Sequence, residues 1–348
     1  MSKPRLKPFL RVYHRQDENH LFIGVGPDKV RITDPTPEMV DFVVGLDGTD
    51  SVEQLRAKYP DTDDWLRGLA GVGVLDDAED TAGLPPATLD RWSRQINYLR
   101  LFDRPGWTGF DGQRRIRDAR VVVVGTGAGG TTLLRLLNAA GVGHLEAVDF
   151  DTFAVDNLPT HSTLDEVDVG SHKLESLRRH LFMQNSQTTF TAHDRTIGSA
   201  DDLAELIDGA DFFLHAFDRP REFAASWSNL ASLRTGTPLT SIGATDKGAR
   251  VGPTMLPGVT PCWECAGIYG FDILRHEQTA ALTGSTVAML AGIAVNEVLQ
   301  LLSGAKPTTR TSGQSLYVNT DTLTFTFTEY QFRSGCLCEQ YRRDRPAA

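Results

Sequence analysis

Cysteine is scarce in this chain, four residues in 348. Basic residues are also in deficit, 35 against 45 acidic ones, for a formal charge of −10. A general nucleic-acid surface needs a basic footprint, so that class of partner is excluded. No run of about 18 apolar residues exists, and no membrane span is expected. The opening MSKPRLKPFLRVYHRQ lacks the apolar stretch of a secretory signal, which points to the cytoplasm. What is present, 40% hydrophobic and 23% charged residues, is the balance of a soluble globular protein with room for two domains.

The cysteines come in pairs, Cys262-Trp-Glu-Cys265 and Cys336-Leu-Cys338. In a reducing compartment disulfides are disfavoured. Four soft thiolates are the set that tetrahedral zinc prefers, and four unrelated buried thiols are the plainer alternative. A zinc here is structural and closed, tying the C-terminus to a distant loop. It also uses every thiol, leaving none for a covalent thioester.

Residues 1–80 start with FLRVYHR, HLFIGVG and KVRIT, strand-like by period and β-branched content. TPEMVDFVVGLDGT follows, with apolar Met39, Val40, Val43 and Val44 at helical spacing after a capping threonine. SVEQLRAKYP repeats the device from Ser51, and DTDDWLRGLAGVGVLDD gives a third helix and a short strand. Three strands and three helices resemble a winged-helix α+β module. Its helices are acidic, which disfavours DNA; an extended peptide added to an edge strand suits it better. The Gly/Pro-rich TAGLPPATLD, residues 81–90, reads as a linker.

From residue 91 to 348 the pattern is α/β. ARVVVVG is a continuous apolar strand, as a parallel sheet buried on both faces requires. TTLLRLLNAAG is its crossover helix and HLEAVDFD the next strand; TTFTAHD, ADFFLHAFD and TPLTSIGAT are further strands. Together they predict a doubly wound, Rossmann-like parallel sheet. LYVNTDTLTFTFTEYQF alternates with period two and predicts an antiparallel C-terminal extension. Gly125, Gly127 and Gly130 fit G-x-G-x-x-G between strand and helix, with Asp149 about twenty residues on, placed for ribose hydroxyls. That fingerprint says nucleotide without saying which.

The flanks decide. Arg91-Trp92-Ser93-Arg94-Gln95, Gly112-Gln113, Asp149-Phe150-Asp151, Asn157-Leu158 and Gly170-Ser171-His172-Lys173 occur in order around the glycine turn. The series, with FFLHAFDRP and the paired cysteines after it, resembles the ThiF/MoeB-type adenylating family, relatives of ubiquitin-activating enzymes. The resemblance covers about residues 91 to 340 and implies attack of a carboxylate on the α-phosphorus of ATP, giving an acyl-adenylate and pyrophosphate. By matching positions it implies that Asp149 holds ribose, with Asp151 beside it, that Lys173 reaches phosphate, that Asn157 contacts the nucleotide, and that Asp218 organises Mg2+. Arg94 is implied to act on phosphates across a homodimer. One departure stands out: the family's N-L-x-R-Q reads Asn157-Leu158-Pro159-Thr160-His161, with no guanidinium, while Arg219 replaces the asparagine of T-D-N. His161 and His172 are as well explained as ordinary polar residues.

The N-terminal module ahead of such a core resembles enzymes of ribosomally made peptide natural products, the microcin-adenylating type among them. That implies a leader peptide gripped by the module while its core is adenylated, with no nucleic-acid or membrane partner. Two alternatives stay open: a leader-binding scaffold that passes the peptide to a separate cyclising enzyme, and activation of a ubiquitin-like sulfur carrier.

Overall fold

The computed structural model describes residues 1–24, 26–27, 29–245, 248–269 and 283–343. It divides into two compact units, Met1–Asp111 and Gly112–Ala348.

The first unit holds β1 (Pro4–Leu6), β2 (Val12–Arg15), β3 (His20–Ile23), β4 (Val30–Thr33), α1 (Pro37–Val44), α2 (Val52–Lys58), α3 (Thr62–Gly71) and β5 (Leu75–Asp77). The antiparallel sheet β2-β3-β4 coincides with the three alternating stretches, and β1 pairs with β5. Thr36 caps α1 by accepting from the Met39 amide, and Ser51 and Gln54 form a capping box on α2. The apolar faces meet in a core around Leu21, Ile23, Phe42, Val43, Leu55 and Leu69. The unit continues past the Gly/Pro-rich stretch. Pro86–Arg91 is a helix, α4, followed by α5 (Ser93–Leu99), and Leu84, Trp92, Ile96 and Phe110 bury one another. The buried Arg100 pairs with Asp76 at 2.6 Å, fastening this segment to β5. Helix α6 (Gly109–Asp118) spans the division between units.

The second unit runs β6 (Arg120–Val124), α7 (Ala128–Ala139), β7 (His144–Asp149), α8 (Lys173–Gln184), β8 (Thr189–Asp194), α9 (Ala200–Ile207), β9 (Phe212–His215), α10 (Ala224–Thr235), β10 (Leu239–Thr245), β11 (Gly248–Val251), α11 (Gly284–Leu302), β12 (Gln314–Asn319), β13 (Thr324–Glu329) and α12 (Cys338–Arg343). One sheet of eight strands has the order β13-β12-β11-β10-β9-β6-β7-β8. The five strands β8-β7-β6-β9-β10 are parallel and the remaining pairs antiparallel, the expected extension. Val121 to Val124 are buried on both faces of the sheet, which is why that strand reads as an unbroken apolar run. Helices α7 and α11 pack together, as do α9 and α10. Chain order reverses between β6 and β9, and the crevice beyond their carboxyl ends is where such sheets bind ligands.

Helix α11, 19 residues, is long and apolar enough to cross a membrane by length and composition alone. Two small residues and Asn296 and Glu297 disguise it in the sequence. It packs on β10 and β11, buries Val287, Leu290, Ala294 and Val298, and holds Glu297 as acceptor for the Thr309 hydroxyl at 3.1 Å. Those contacts are those of a core helix.

Candidate functional site

The turn after β6 is built on two glycines, Gly125 and Gly130, whose places leave no room for a side chain. Gly125 has φ +92°, and a Cβ there would lie 2.3 Å from the Ala216 carbonyl oxygen beyond β9. A Cβ on Gly130 would lie 1.9 Å from the Gly125 oxygen, so α7 sits directly on the turn. Gly127 meets nothing within 4 Å. The turn is thus closed on its protein side and open where amide groups at the start of α7 can receive phosphate.

Asp149, at the end of β7, is tied to that turn. Its Oδ2 accepts from the Thr126 amide at 2.6 Å and hydroxyl at 2.7 Å; its Oδ1 accepts from the Phe150 and Asp151 amides, each at 2.8 Å. Burial pushes this carboxyl up, but the four donors and Lys173 outweigh it and hold it below the usual carboxylate range. All four lone-pair directions are used internally. The carboxylate open to solvent is Asp151, whose Oδ2 lies 3.0 Å from the buried Lys173 Nζ. A short pairing aligns them: the Lys173 amide donates to the Asp151 carbonyl and Phe153 to Ser171. A cleft of about 260 Å³ opens beside Asp149 and Asp151, between the ends of β7 and β8 and the start of α8. Arg178, Ala192 and Asp194 line it, residues that no motif singled out. The signal available was positional, since Ala192 and Asp194 close the strand TTFTAHD.

Asn157 shapes the loop between. Its carbonyl accepts from the Thr160 hydroxyl at 3.0 Å and faces the His161 Nδ1 at 3.0 Å. Thr160 therefore directs its proton at backbone. Burial holds the His161 imidazole below its ordinary value, so at neutral pH it carries no charge. Asp218 follows β9, is exposed, and pairs with Arg221 at 3.1 Å; Arg219 beside it is exposed. Arg94 lies on the exposed side of α5, in the first unit. His172 precedes α8 and lines the cleft.

The four cysteines converge. Sγ of Cys262 lies 3.5 Å from Cys336 and Sγ of Cys265 lies 3.5 Å from Cys338, all four within 4.8 Å. Sulfurs 2.3 Å from a tetrahedral zinc stand roughly 3.8 Å apart, so the donor set fits that ion. Burial pushes the Cys338 thiol up to about 12 and raises Cys262 too. Against burial, hydrogen bonds from the Arg333 amide and the neighbouring thiols hold Cys265 below its ordinary value, and a cation among the four would favour the thiolate at Cys262 and Cys338 as well. A second group, Asp165, Asp168 and His180, is neutralised from within, since Arg179 and His180 both pair with Asp168.

Glycine turn, parallel sheet and switch point together are those of a Rossmann-like nucleotide-binding fold. The ThiF family profile matches residues 92–339, and the chain belongs to that family. It is an adenylyltransferase of the ThiF/MoeB type, acting with ATP. It is 29% identical over 251 residues to the molybdopterin-synthase adenylyltransferase of Escherichia coli (strain K12), covering 72% of this chain and 94% of that one. To the sulfur carrier protein ThiS adenylyltransferase of the same strain it is 28% identical over 215 residues, covering 62% and 81%. Among solved structures, E. coli MccB with MccA-N7isoASN superposes with a TM-score of 0.79 at 18% identity, over 97% of this chain and 99% of that one. PaaA gives 0.79 at 20% identity, over 92% and 98%. At such identities the likeness is one of fold, and it extends over both units.

Proposed function

We propose that this chain adenylates a carboxylate of a ribosomally made precursor peptide and releases pyrophosphate. The observation that carries the reading is the Lys173–Asp151 pair, 3.0 Å apart beside an open glycine turn. In this reading a peptide carboxylate oxygen attacks the α-phosphorus of ATP and the bond to pyrophosphate breaks. Charge then gathers on the leaving phosphates, where Lys173 and the amides of the turn receive it. Asp151, with the cleft beside it, takes the ribose, and Asp149 keeps the turn in shape for it. Asn157 sets the loop over the nucleotide. Magnesium, held by Asp218, would neutralise phosphate charge. Arg94 is supplied by the second copy of a homodimer. No protein nucleophile is required; positioning and charge neutralisation do the chemistry. Zinc on Cys262, Cys265, Cys336 and Cys338 is structural.

The peptide is the finer part of the proposal. Supporting it are the first unit, residues 1–80 of which act as the recognition module, and its sheet with outer strands β2 and β4 able to accept an extended chain. Supporting it too is the fold likeness over the whole chain to MccB, seen with ATP and with N-formylated MccA. A leader held there keeps the reacting carboxylate at high local concentration.

Thr160 favours a second reading. Its hydroxyl is spent on the Asn157 carbonyl, and the phosphate-binding guanidinium is missing there. In that reading the chain is a leader-binding scaffold for a partner cyclising enzyme. A sulfur carrier, the partner named for the ThiS relative, is the third candidate substrate.

ATP–pyrophosphate exchange with candidate precursor peptides drawn from the neighbouring open reading frames tests the proposal, with Asp218→Ala as control. Peptide-dependent exchange that the variant loses is the expected result. Leader binding without exchange would establish the scaffold, and exchange only with a Gly-Gly-tailed carrier would establish the third candidate.

A further inference from the structure

Arg250 is a half-buried cation that meets no counter-charge among the described residues. It lies on β11, directly opposite Gly243 of β10 on one side and Tyr317 of β12 on the other. Its Nη1 donates to the Gly252 carbonyl, and its Nη2 reaches the Ser241 hydroxyl at 3.4 Å. Among the described residues no carboxylate lies within ion-pair distance of it. Burial drives its pKa down, opposed only by the Tyr317 and Tyr330 hydroxyls. Arginine nevertheless stays protonated in proteins. A half-buried guanidinium with five donors and only neutral acceptors leaves donors to spare, and such a group suits the reception of an anion.

The surroundings fit a receptor. Gly243 offers no side chain, and the nearest atom to where its Cβ would stand is Arg250 Nη2, 3.9 Å away. The strand surface beneath the guanidinium is therefore bare. Ser241, on the same side of β10, is in register with His215 of β9. Burial holds the His215 imidazole neutral, with Nδ1 on the Ser228 hydroxyl at 2.8 Å, so no charge from that side competes. Asp218 lies three residues after the end of β9, and β11 is two strands away from β9, about 10 Å. About three extended residues span that distance.

We propose that Arg250 receives a second carboxylate of the peptide, about three residues from the one that is adenylated, and so selects acidic substrates. The inference rests on the adenylation reading above, and it names what that site recognises. The carboxylate is either an acidic side chain or the peptide's own terminus, and the fork of the guanidinium suits both.

The test uses the full chain and synthetic peptides copying the last seven residues of the neighbouring precursor: free acid, C-terminal amide, and forms with each Asp or Glu changed to Asn or Gln. Peptide affinity by calorimetry and KM by pyrophosphate exchange are measured for wild type, R250Q and R250K, with thermal melts and the KM for ATP as folding controls. Loss of a charge-assisted bidentate pair predicts an increase of roughly 30- to 100-fold in peptide KM and Kd for R250Q, with the KM for ATP unmoved. One neutralised peptide should cost the wild type the same factor and cost R250Q nothing; whether it is the amide or a side-chain form identifies the source. R250K, which keeps the charge and loses the fork, should fall between. Equal peptide affinity in wild type and R250Q, or a penalty for neutralisation that persists in R250Q, overturns the proposal. If R250Q melts early, R250K carries the same comparison. Absence of exchange in the wild type would remove the adenylation reading, while the calorimetric comparison would still decide whether Arg250 binds a carboxylate.

Discussion

Two ends of the second unit solve the problem of buried charge in opposite ways. At the glycine turn every charged group has a partner nearby: Asp149 accepts four hydrogen bonds and Lys173 meets Asp151. At the cysteine cluster four sulfurs pack within 4.8 Å, and among the described residues the Arg333 amide, donating to Cys265 at 3.4 Å, offers them one hydrogen bond but no cation within ion-pair distance. The first end is preformed, ready for a ligand that arrives and leaves. The second has the donor set for an ion, and with zinc bound its stability and its occupancy would be one quantity.

The largest effect should follow from removing that ion. Structural zinc contributes on the order of 10 kcal/mol in small zinc peptides. Even a third of that here lowers the melting temperature by roughly 10 °C in a domain of this size. Stripping with a strong chelator, or Cys338→Ser, should produce this drop, and added zinc should reverse the first and not the second. A chelator-insensitive melt with no zinc by elemental analysis would make the cluster four ordinary thiols.

At the preformed end the expected loss is in rate. Lys173→Met removes the charge that meets the departing phosphates, and exchange should fall roughly 100- to 1,000-fold while the melt hardly moves. A change below about threefold would reduce Lys173 to a support for Asp151.

His215 joins the two ends, since it closes β9 and its ring stacks edge-on against Trp263, the residue after Cys262. Burial holds its pKa at about 3 against 6.5 in the unfolded chain. The unfolded chain therefore binds a proton that the folded one refuses, and stability falls as pH drops below about 6.5. At pH 5 the loss is about 2 kcal/mol, and above about pH 7 it vanishes. Urea melts at pH 5 and pH 7 measure it, and His215→Gln should flatten the difference. An unchanged slope in that variant would assign the titration to another group.

The sequence was most readable where backbone dictates residue type. The valines of β6 announce a strand buried on both faces, and Gly125 and Gly130 are forced by sterics. What stayed hidden depends on partners far along the chain. Nothing in Thr126 signals that it would donate twice to Asp149, and nothing in Arg250 signals a missing counter-charge. The cleft residues Arg178 and Asp194 come together only once α8 packs beside β8. Likewise Leu84 and Trp92 bind a stretch that reads as linker into the first unit. The apolar length of α11 is interrupted by Glu297, which serves a neighbouring loop by accepting from Thr309 and Thr311.

The smallest effect sharpens the comparison most. Thr160 occupies the place where relatives of this type carry a phosphate-binding arginine, and its hydroxyl is turned to the Asn157 carbonyl. If the preformed end is a working nucleotide site, its remaining cations already suffice, and Thr160→Arg adds one more charge-assisted contact. Such a contact is worth about 1.5 kcal/mol, or roughly tenfold in the KM for ATP, with peptide KM unaltered. A scaffold that has abandoned catalysis would gain ATP affinity from the same arginine without gaining peptide-dependent exchange, because charge alone does not restore the alignment of the reacting carboxylate. Measuring nucleotide affinity and exchange together in Thr160→Arg therefore separates a site that economises on cations from one that no longer uses them.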